Sequence, residues 1–407
     1  MFKKYFKNIN TDVFFISIVS FCMSCSSSII ISCALDFSKT LNTTFSVIIL
    51  GRVLGEVSGY LGKFIFSFLS DFYTSRRNFL LLCYGSVLVT KPIFIFSSLG
   101  ILSNASSVVY YTIANIGDKF FGSVRDPIRD AWISEKTQEE HIKENFLFRV
   151  FFSILGTISG ALISYMLINK ITFTKLFLIS FSISLIGLKF LYINIHDNKI
   201  IEETSKTKDN NLFVSFYKHL IKSEQSTFVI YLIAMIVFLY LGKVNEFSLW
   251  VMAKNIGIQC NNTLLFMLFY VSSIVASIII SYFSKYNLKL LFISSLILII
   301  NNIMIKVKLS LLTLILATLS YGLYSTILNT LSSISILYFF RNSRWKSTAL
   351  SSLNLVIGIS YLISGIIQKI IIDHYDSYKI FDYSIVSILL SYVFMYYLYF
   401  NRKKINL

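Results

Sequence analysis

Twelve apolar stretches, each about 18–26 residues long and separated by short polar loops, fill most of the 407-residue chain. A helix needs roughly 20 apolar residues to cross a hydrocarbon core of about 30 Å, and a buried soluble helix rarely reaches that length. The pattern predicts membrane-spanning helices near 12–35, 45–69, 79–99, 104–124, 146–168, 173–194, 227–251, 263–283, 289–305, 310–333, 349–371 and 381–400. Barrel strands do not fit. They are about 10 residues long and alternate apolar with polar, whereas the run from Leu290 to Ile300 does not alternate. The first span is too long and too poorly flanked for a cleaved signal peptide and reads as retained.

Composition agrees: 55% of residues are hydrophobic and 14% charged. The net charge of +17 could suggest nucleic acid. Its distribution points elsewhere. With the N-terminus placed inside, 22 of the 37 Lys and Arg fall in inner segments and eight in outer loops. By the positive-inside rule both termini are then cytoplasmic. The excess charge is topogenic and attracts anionic lipid headgroups, and no nucleic acid is expected.

The polar stretch from His196 to Ser226 divides the spans six and six. It predicts an N-terminal bundle over 1–195, a cytoplasmic linker over 196–226 and a C-terminal bundle over 227–407. Phe68-Leu-Ser-Asp-Phe-Tyr after span 2 resembles Tyr282-Phe-Ser-Lys-Tyr-Asn after span 8. Repeated halves around a midplane site are a common transporter design.

Enzyme chemistry finds little support. There is no P-loop lysine motif, no HExxH and no nucleophile elbow, so neither a cofactor nor a metal is expected. Cys22-x-x-Cys25 lies inside span 1 without a second pair and reads as packing. All four histidines lie in loops or at span edges.

Ionisable side chains inside the spans are costly and normally face a partner or a wet path. They are Arg52, Glu56, Lys63, Lys91, Asp118, Lys119, Arg149, Lys189, Lys243 and Glu246. Lys63, Lys91 and Lys189 have stems long enough to snorkel. Arg52 and Glu56, four apart, share a helical face and form a candidate intramembrane ion pair. Lys243 and Glu246, three apart on span 7, pose the same choice between ion pair and proton carrier. Of the embedded carboxylates, Asp118 is the first candidate for coupling and Glu246 the second. In span 4, Tyr111, Asn115 and Asp118 share a face; Tyr321, Ser325 and Asn329 do so in span 10, and Ser20, Ser24 and Ser27 in span 1. Such rings beside a few polar groups suit a small organic solute. Gly55, Gly59 and Gly62 continue a small-residue stripe on span 2 that permits close helix approach.

Several segments resemble a known family. Ser70-Asp71-Phe-Tyr-Thr-Ser-Arg76-Arg77, between spans 2 and 3, is similar to the signature loop of the major facilitator superfamily. Ser67 stands where that loop has its leading Gly, and Phe72 replaces a basic residue. Gly85 to Pro92, with its Lys91-Pro92 pair, resembles the third helix of a bacterial branch of the superfamily. Asp118-Lys119-x-x-Gly122-x-x-Arg125-x-Pro127-x-Arg129-Asp130-Ala131 resembles that branch's fourth helix and following turn. Arg149, Gly156 and Gly160 resemble its fifth, with Ser153 in place of an acid and Ala161 in place of Pro. Lys285 replaces the acid of the second signature loop.

The resemblance implies an all-α fold of twelve transmembrane helices in two six-helix bundles. It implies a cytoplasmic gate built from Asp71, Arg76, Arg77, Arg125, Arg129 and Asp130. It also implies packing of span 2 against span 11, where Gly358 and Gly365 lie. The function so implied is secondary transport of a small organic solute across the cytoplasmic membrane by alternating access, as a monomer. Proton-coupled efflux by antiport is the first reading, and uptake of a nutrient or metabolite the second. A transport-inactive receptor or scaffold is a third.

Overall fold

The computed structural model describes residues 9–41, 45–73, 76–195, 226–243, 258, 262–282, 288–339, 346–374 and 378–401. Among them all regular structure is helical. The α-helices are α1 (Thr11–Thr40), α2 (Phe45–Tyr73), α3 (Arg76–Gly85), α4 (Val87–Ser97), α5 (Asn104–Lys136), α6 (Ile142–Leu167), α7 (Phe173–Asn194), α8 (Ser226–Leu241), α9 (Asn262–Tyr282), α10 (Leu288–Val307), α11 (Leu311–Phe339), α12 (Lys346–His374) and α13 (Lys379–Asn401). Each predicted span has its helix. Among the described residues, nine segments, α3 and α4 counted together, are long and apolar enough to cross a membrane. Helix α5 is not among them, and it carries Asp118, Lys119, Arg125, Asp126, Arg129 and Asp130.

The third span is broken, a feature not predicted. It turns at Ser86 between α3 and α4, where the Val89 amide reaches back three residues to the Ser86 carbonyl. A Gly-Ser pair weakens a helix locally, and Pro92 removes one amide from the following turns.

The chain divides into two compact units. One comprises Met1–Asp197, Asn261–Ser281 and Phe340–Leu355, and the other Asn198–Cys260, Tyr282–Phe339 and Val356–Leu407.

In the first unit α1 packs chiefly on α6 and α7, and α2 on α5. Glycines explain how closely. A Cβ at Gly156 would stand 2.2 Å from the Phe21 carbonyl oxygen, and one at Gly160 2.1 Å from that of Cys25. The i, i+4 glycines of α6 therefore seat it directly on the α1 backbone. Hydroxyl contacts tie α1 to the same neighbours: Ser24 to Ser153 at 2.7 Å, and Ser26 to Ser180 at 2.7 Å.

The glycine stripe of α2 packs within the first unit: Gly55, Gly59 and Gly62 face Lys119, Ser123 and Phe120 of α5. A Cβ at Gly365 would meet nothing within 4 Å. The period of a stripe identifies a face, but any helix of suitable relief can cover it.

Two apolar layers fill this unit. Val13, Ile16 and Val19 of α1 pack with Leu80, Val124, Ile128, Trp132 and Leu191. Further along α1, Phe37 packs with Phe94, Tyr111 and Phe177, the rings 5.2–5.8 Å apart. Between these layers α1 presents serines, Ser24 and Ser26 to Ser28, and α5 presents Asp118.

In the second unit α8 packs on α13, and α10 on α11 and α13. Helix α8 ends at Leu241, and carbonyls at a helix end need partners beyond the helical ladder. Side chains from three helices serve them. Tyr324 donates to the Leu239 carbonyl at 2.9 Å, Ser364 to that of Leu241 at 2.8 Å and Ser384 to that of Gly242. Irregular backbone at membrane depth requires such partners.

Candidate functional site

Three groups of polar side chains stand out, two in the first unit and one in the second. The most enclosed lies between the two apolar layers. Lys91 of α4 is 2% exposed, so its ammonium does not snorkel. Its Nζ stands 2.9 Å from Asp118 Oδ1 on α5. Ser27 of α1 donates to the other carboxylate oxygen at 3.3 Å. Asp118 is thus neutralised by Lys91, five positions from the Ser86 break, and not by its neighbour Lys119 as its nearest charge. Met23, Cys83, Tyr84 and Arg125 complete the lining of a small cavity beside the pair, about 10 Å³, close to the volume of one water. The Arg125 guanidinium lies over the Tyr84 ring, 5.3 Å from its centroid.

The second group occupies the end of the unit where α1, α3 and α6 begin and α2, α5 and α7 finish; we call this the N-terminal face. Arg76 pairs with Asp71 and donates to a second carboxylate, Glu135, at 3.0 Å, and to Ser70 Oγ at 2.8 Å. Asp71 Oδ2 accepts from both the amide and the hydroxyl of Thr348, each at 2.6 Å. Thr348 lies in the first turn of α12, so the carboxylate caps that helix and complements its dipole. Arg77 donates to the Ile195 carbonyl at 2.6 Å, at the end of α7.

Deeper on the same side, Arg129 bridges two carboxylates, Asp126 at 3.1 Å and Asp130 at 3.2 Å. Arg149 of α6 holds Asp130 at 2.7 Å, with its guanidinium over the Phe146 ring. Asp126, beyond the predicted span, is subject to burial that would raise its pKa. Arg129 and Arg125 outweigh that effect and lower it.

The third group surrounds Lys243, just past the end of α8. Its Nζ donates to Ser325 at 2.9 Å and to the Tyr361 hydroxyl at 2.8 Å. Gln368 donates to Ser364 at 2.8 Å and reaches the Lys243 carbonyl. Tyr240 donates to Asn329. A cation next to a helix C-terminus is favoured by the helix dipole.

The structure therefore brings together Asp71 with Arg76, Arg129 with Asp130, and Asp118 with Lys91. It separates other residues predicted to act in one place. Arg125 lines the Lys91–Asp118 cavity, and Arg129 pairs with Asp126 and Asp130 of its own helix rather than at Asp71. Tyr111 is buried in the aromatic layer, and Asn115 is half-buried on α5. Tyr321 is fully buried and donates to Asn302 at 2.9 Å. The Arg52 and Glu56 side chains and the whole of Glu246 lie outside the described residues. Sequence reasoning missed Glu135, Thr348, Asp126 and Tyr361 as partners. Among the described residues no group of His, Cys, Asp and Glu could hold a metal ion.

Comparison with known proteins gives this architecture its class. The family model of the Major Facilitator Superfamily matches residues 16–365. The chain belongs to that superfamily. It is a multi-pass membrane protein with a transporter fold, not an enzyme. No curated protein matches it by sequence. The human organic anion transporter MFSD10 (TETRAN) is similar in structure, with a TM-score of 0.73 and 11% identity; the alignment covers 95% of this chain and 100% of that one. The proton:xylose symporter XylE bound to 6-bromo-6-deoxy-D-glucose gives 0.69 and 14%, covering 95% and 94%. The transporter FucP in its outward conformation gives 0.69 and 11%, covering 95% and 98%. At these identities the likeness is one of fold.

Proposed function

We propose that the chain is a proton-coupled secondary transporter that moves a small organic solute across the cytoplasmic membrane by alternating access. The observation that carries this reading is the partly buried Asp118, held by the fully buried Lys91 and by Ser27 beside a cavity. A carboxylate there titrates at high electrostatic stakes, because protonating it leaves the Lys91 charge uncompensated. A proton on Asp118 and a solute group on Lys91 are thereby linked. Asp71, Arg76 and the first turn of α12 form the gate at the N-terminal face, which is the cytoplasmic face by the distribution of Lys and Arg. Arg77, with Arg129 and Asp130, buttresses it.

Export by proton antiport is the direction that the family resemblance implies. A specific observation favours the second direction, uptake by symport. The cavity carries two cations, Lys91 and Arg125, against one carboxylate. Adding a proton to that set is easier when a negatively charged solute group is added with it.

Flux in proteoliposomes tests the reading. With the protein reconstituted and a pH gradient of either polarity imposed, solute should accumulate in wild type and not in Asp118→Asn. Accumulation at the side of higher pH identifies symport, and at the side of lower pH antiport. Full coupling in the Asn variant would sink the role of Asp118.

A further inference from the structure

The cavity beside Lys91 is rich in donors and poor in acceptors. Lys91 has three N–H donors, and its one short polar contact is to Asp118 Oδ1. The Nε of Arg125 is buried without a hydrogen-bond acceptor among the described residues. Its nearest recorded carboxylate oxygen, on Asp126, is 3.9 Å away, too far for a hydrogen bond. Nearby hydroxyls spend their protons elsewhere, and none of them accepts from Lys91 Nζ or Arg125 Nε. Ser86 gives its proton to the Cys83 carbonyl at 2.6 Å, Ser184 to Ser26 at 2.6 Å, and Ser27 to Asp118. The cavity therefore offers spare N–H groups on two fixed cations and one carboxylate that is already shared.

Such a set lacks a negatively charged acceptor. A neutral sugar hydroxyl would leave the excess charge uncompensated, and a cation would be repelled by it. A planar guanidinium beside an ammonium matches an oxyanion, which can take two parallel N–H bonds from Arg and one from Lys. The enclosed space holds about one water-sized group, so one oxygen of such an anion enters it and the rest of the ligand lies outside. We propose that this pocket, formed within the N-terminal helices alone, binds the carboxylate or phosphate group of an organic anion, and that Lys91 and Arg125 are its ligands. The inference rests on the transport reading above and adds the charge class of the solute.

The test is binding, which needs no transport. Purified full-length protein in nanodiscs is melted with glycerol 3-phosphate and succinate as organic anions. Inorganic phosphate and chloride serve as free anions, and glycerol as a neutral control. At least one organic anion should raise the melting temperature of wild type and of Lys289→Gln, an exposed residue far along the chain. Arg125→Gln should weaken that apparent affinity about tenfold or more, the worth of one charge-assisted bond. Lys91→Gln alone strands Asp118 and is expected to fold poorly, so the second variant is Lys91→Gln with Asp118→Asn, which should also lose binding. Stabilisation by phosphate or chloride that depends on Arg125 supports the anion site and assigns it to a free ion. No response to any anion, or a response unchanged in both variants, overturns the proposal. Loss of coupled flux with anion binding intact would instead sink the transport reading and leave the site standing.

Discussion

Gly160 sits so close to Cys25 that a side chain at Gly160 would collide with the Cys25 backbone, whatever side chain stands at position 25. The same holds for Gly156 and Phe21. Backbone cannot swing aside as a side chain can, so α6 must retreat along its length if either glycine gains a methyl. Gly160→Ala is expected to destabilise the protein by about 1–3 kcal/mol, the usual range for overpacking. Gly365→Ala, which meets open space, is expected to be tolerated. Melting temperatures in detergent distinguish them, and equal melting of the two variants would refute the backbone contact.

The Lys91–Asp118 pair predicts a double-mutant cycle. Removing one partner of a buried pair strands the other and costs about 3–5 kcal/mol, while replacing both with neutral isosteres is often nearly neutral. Asp118→Asn and Lys91→Gln should each lower the melting temperature, and the double variant should recover most of the loss. Recovery of stability without recovery of proton-coupled flux is the expected signature. Additive losses would mean that the two residues do not depend on each other.

At the N-terminal face, Asp71→Asn keeps size and one acceptor but removes the charge that holds Arg76 and caps α12. The variant is expected to insert normally, to transport several-fold more slowly and to change its balance of conformations. Accessibility of single cysteines placed near Thr348 to a membrane-impermeant reagent would report that balance. Transport at the normal rate would remove the gate from the mechanism.

Asp126 gives a pH dependence. Its folded-state pKa is lowered by Arg129 and Arg125 against the effect of burial. A depressed carboxyl pKa contributes stability that is present above the unfolded value, about 3.9, and is lost as pH falls through the folded value. Wild type should therefore lose melting temperature on acidification below about pH 4. Asp126→Asn should start lower at neutral pH and fall less steeply. Parallel curves for the two proteins would contradict the assignment.

The spans, the charged loop after span 2 and the embedded ionisable groups were legible because each is a local pattern. Hydrophobic length predicts a helix at every span, and an Asp in a turn followed by two arginines points to a charged cluster. The partners were not legible. Arg76 reaches Glu135, 59 positions away, and Asp71 reaches Thr348, 277 positions away. No periodicity connects residues on different helices. Lys91 shows the same limit: a long stem in a membrane span permits both snorkelling and pairing, and only the placement of α4 against α5 decides. The glycines of α2 were correctly read as a packing face, yet their partner is α5, because small residues advertise closeness without naming a neighbour. Thr348 carries a signal that could have been used, since Ser347 and Thr348 follow a basic run and open a long apolar stretch, the composition of a helix start.

The way α8 ends has a consequence for how the chain is made. Its terminal carbonyls at Leu239, Leu241 and Gly242 are served by Tyr324, Ser364 and Ser384, which lie on α11, α12 and α13. A ribosome delivers those helices only after α8 has already entered the bilayer. Until then the exposed carbonyls must be met by water, lipid headgroups or the insertion machinery. The second half of the protein thus depends on its last-synthesised helices to serve an earlier one, and a chain halted before α11 leaves the Leu239, Leu241 and Gly242 carbonyls without those three side-chain donors.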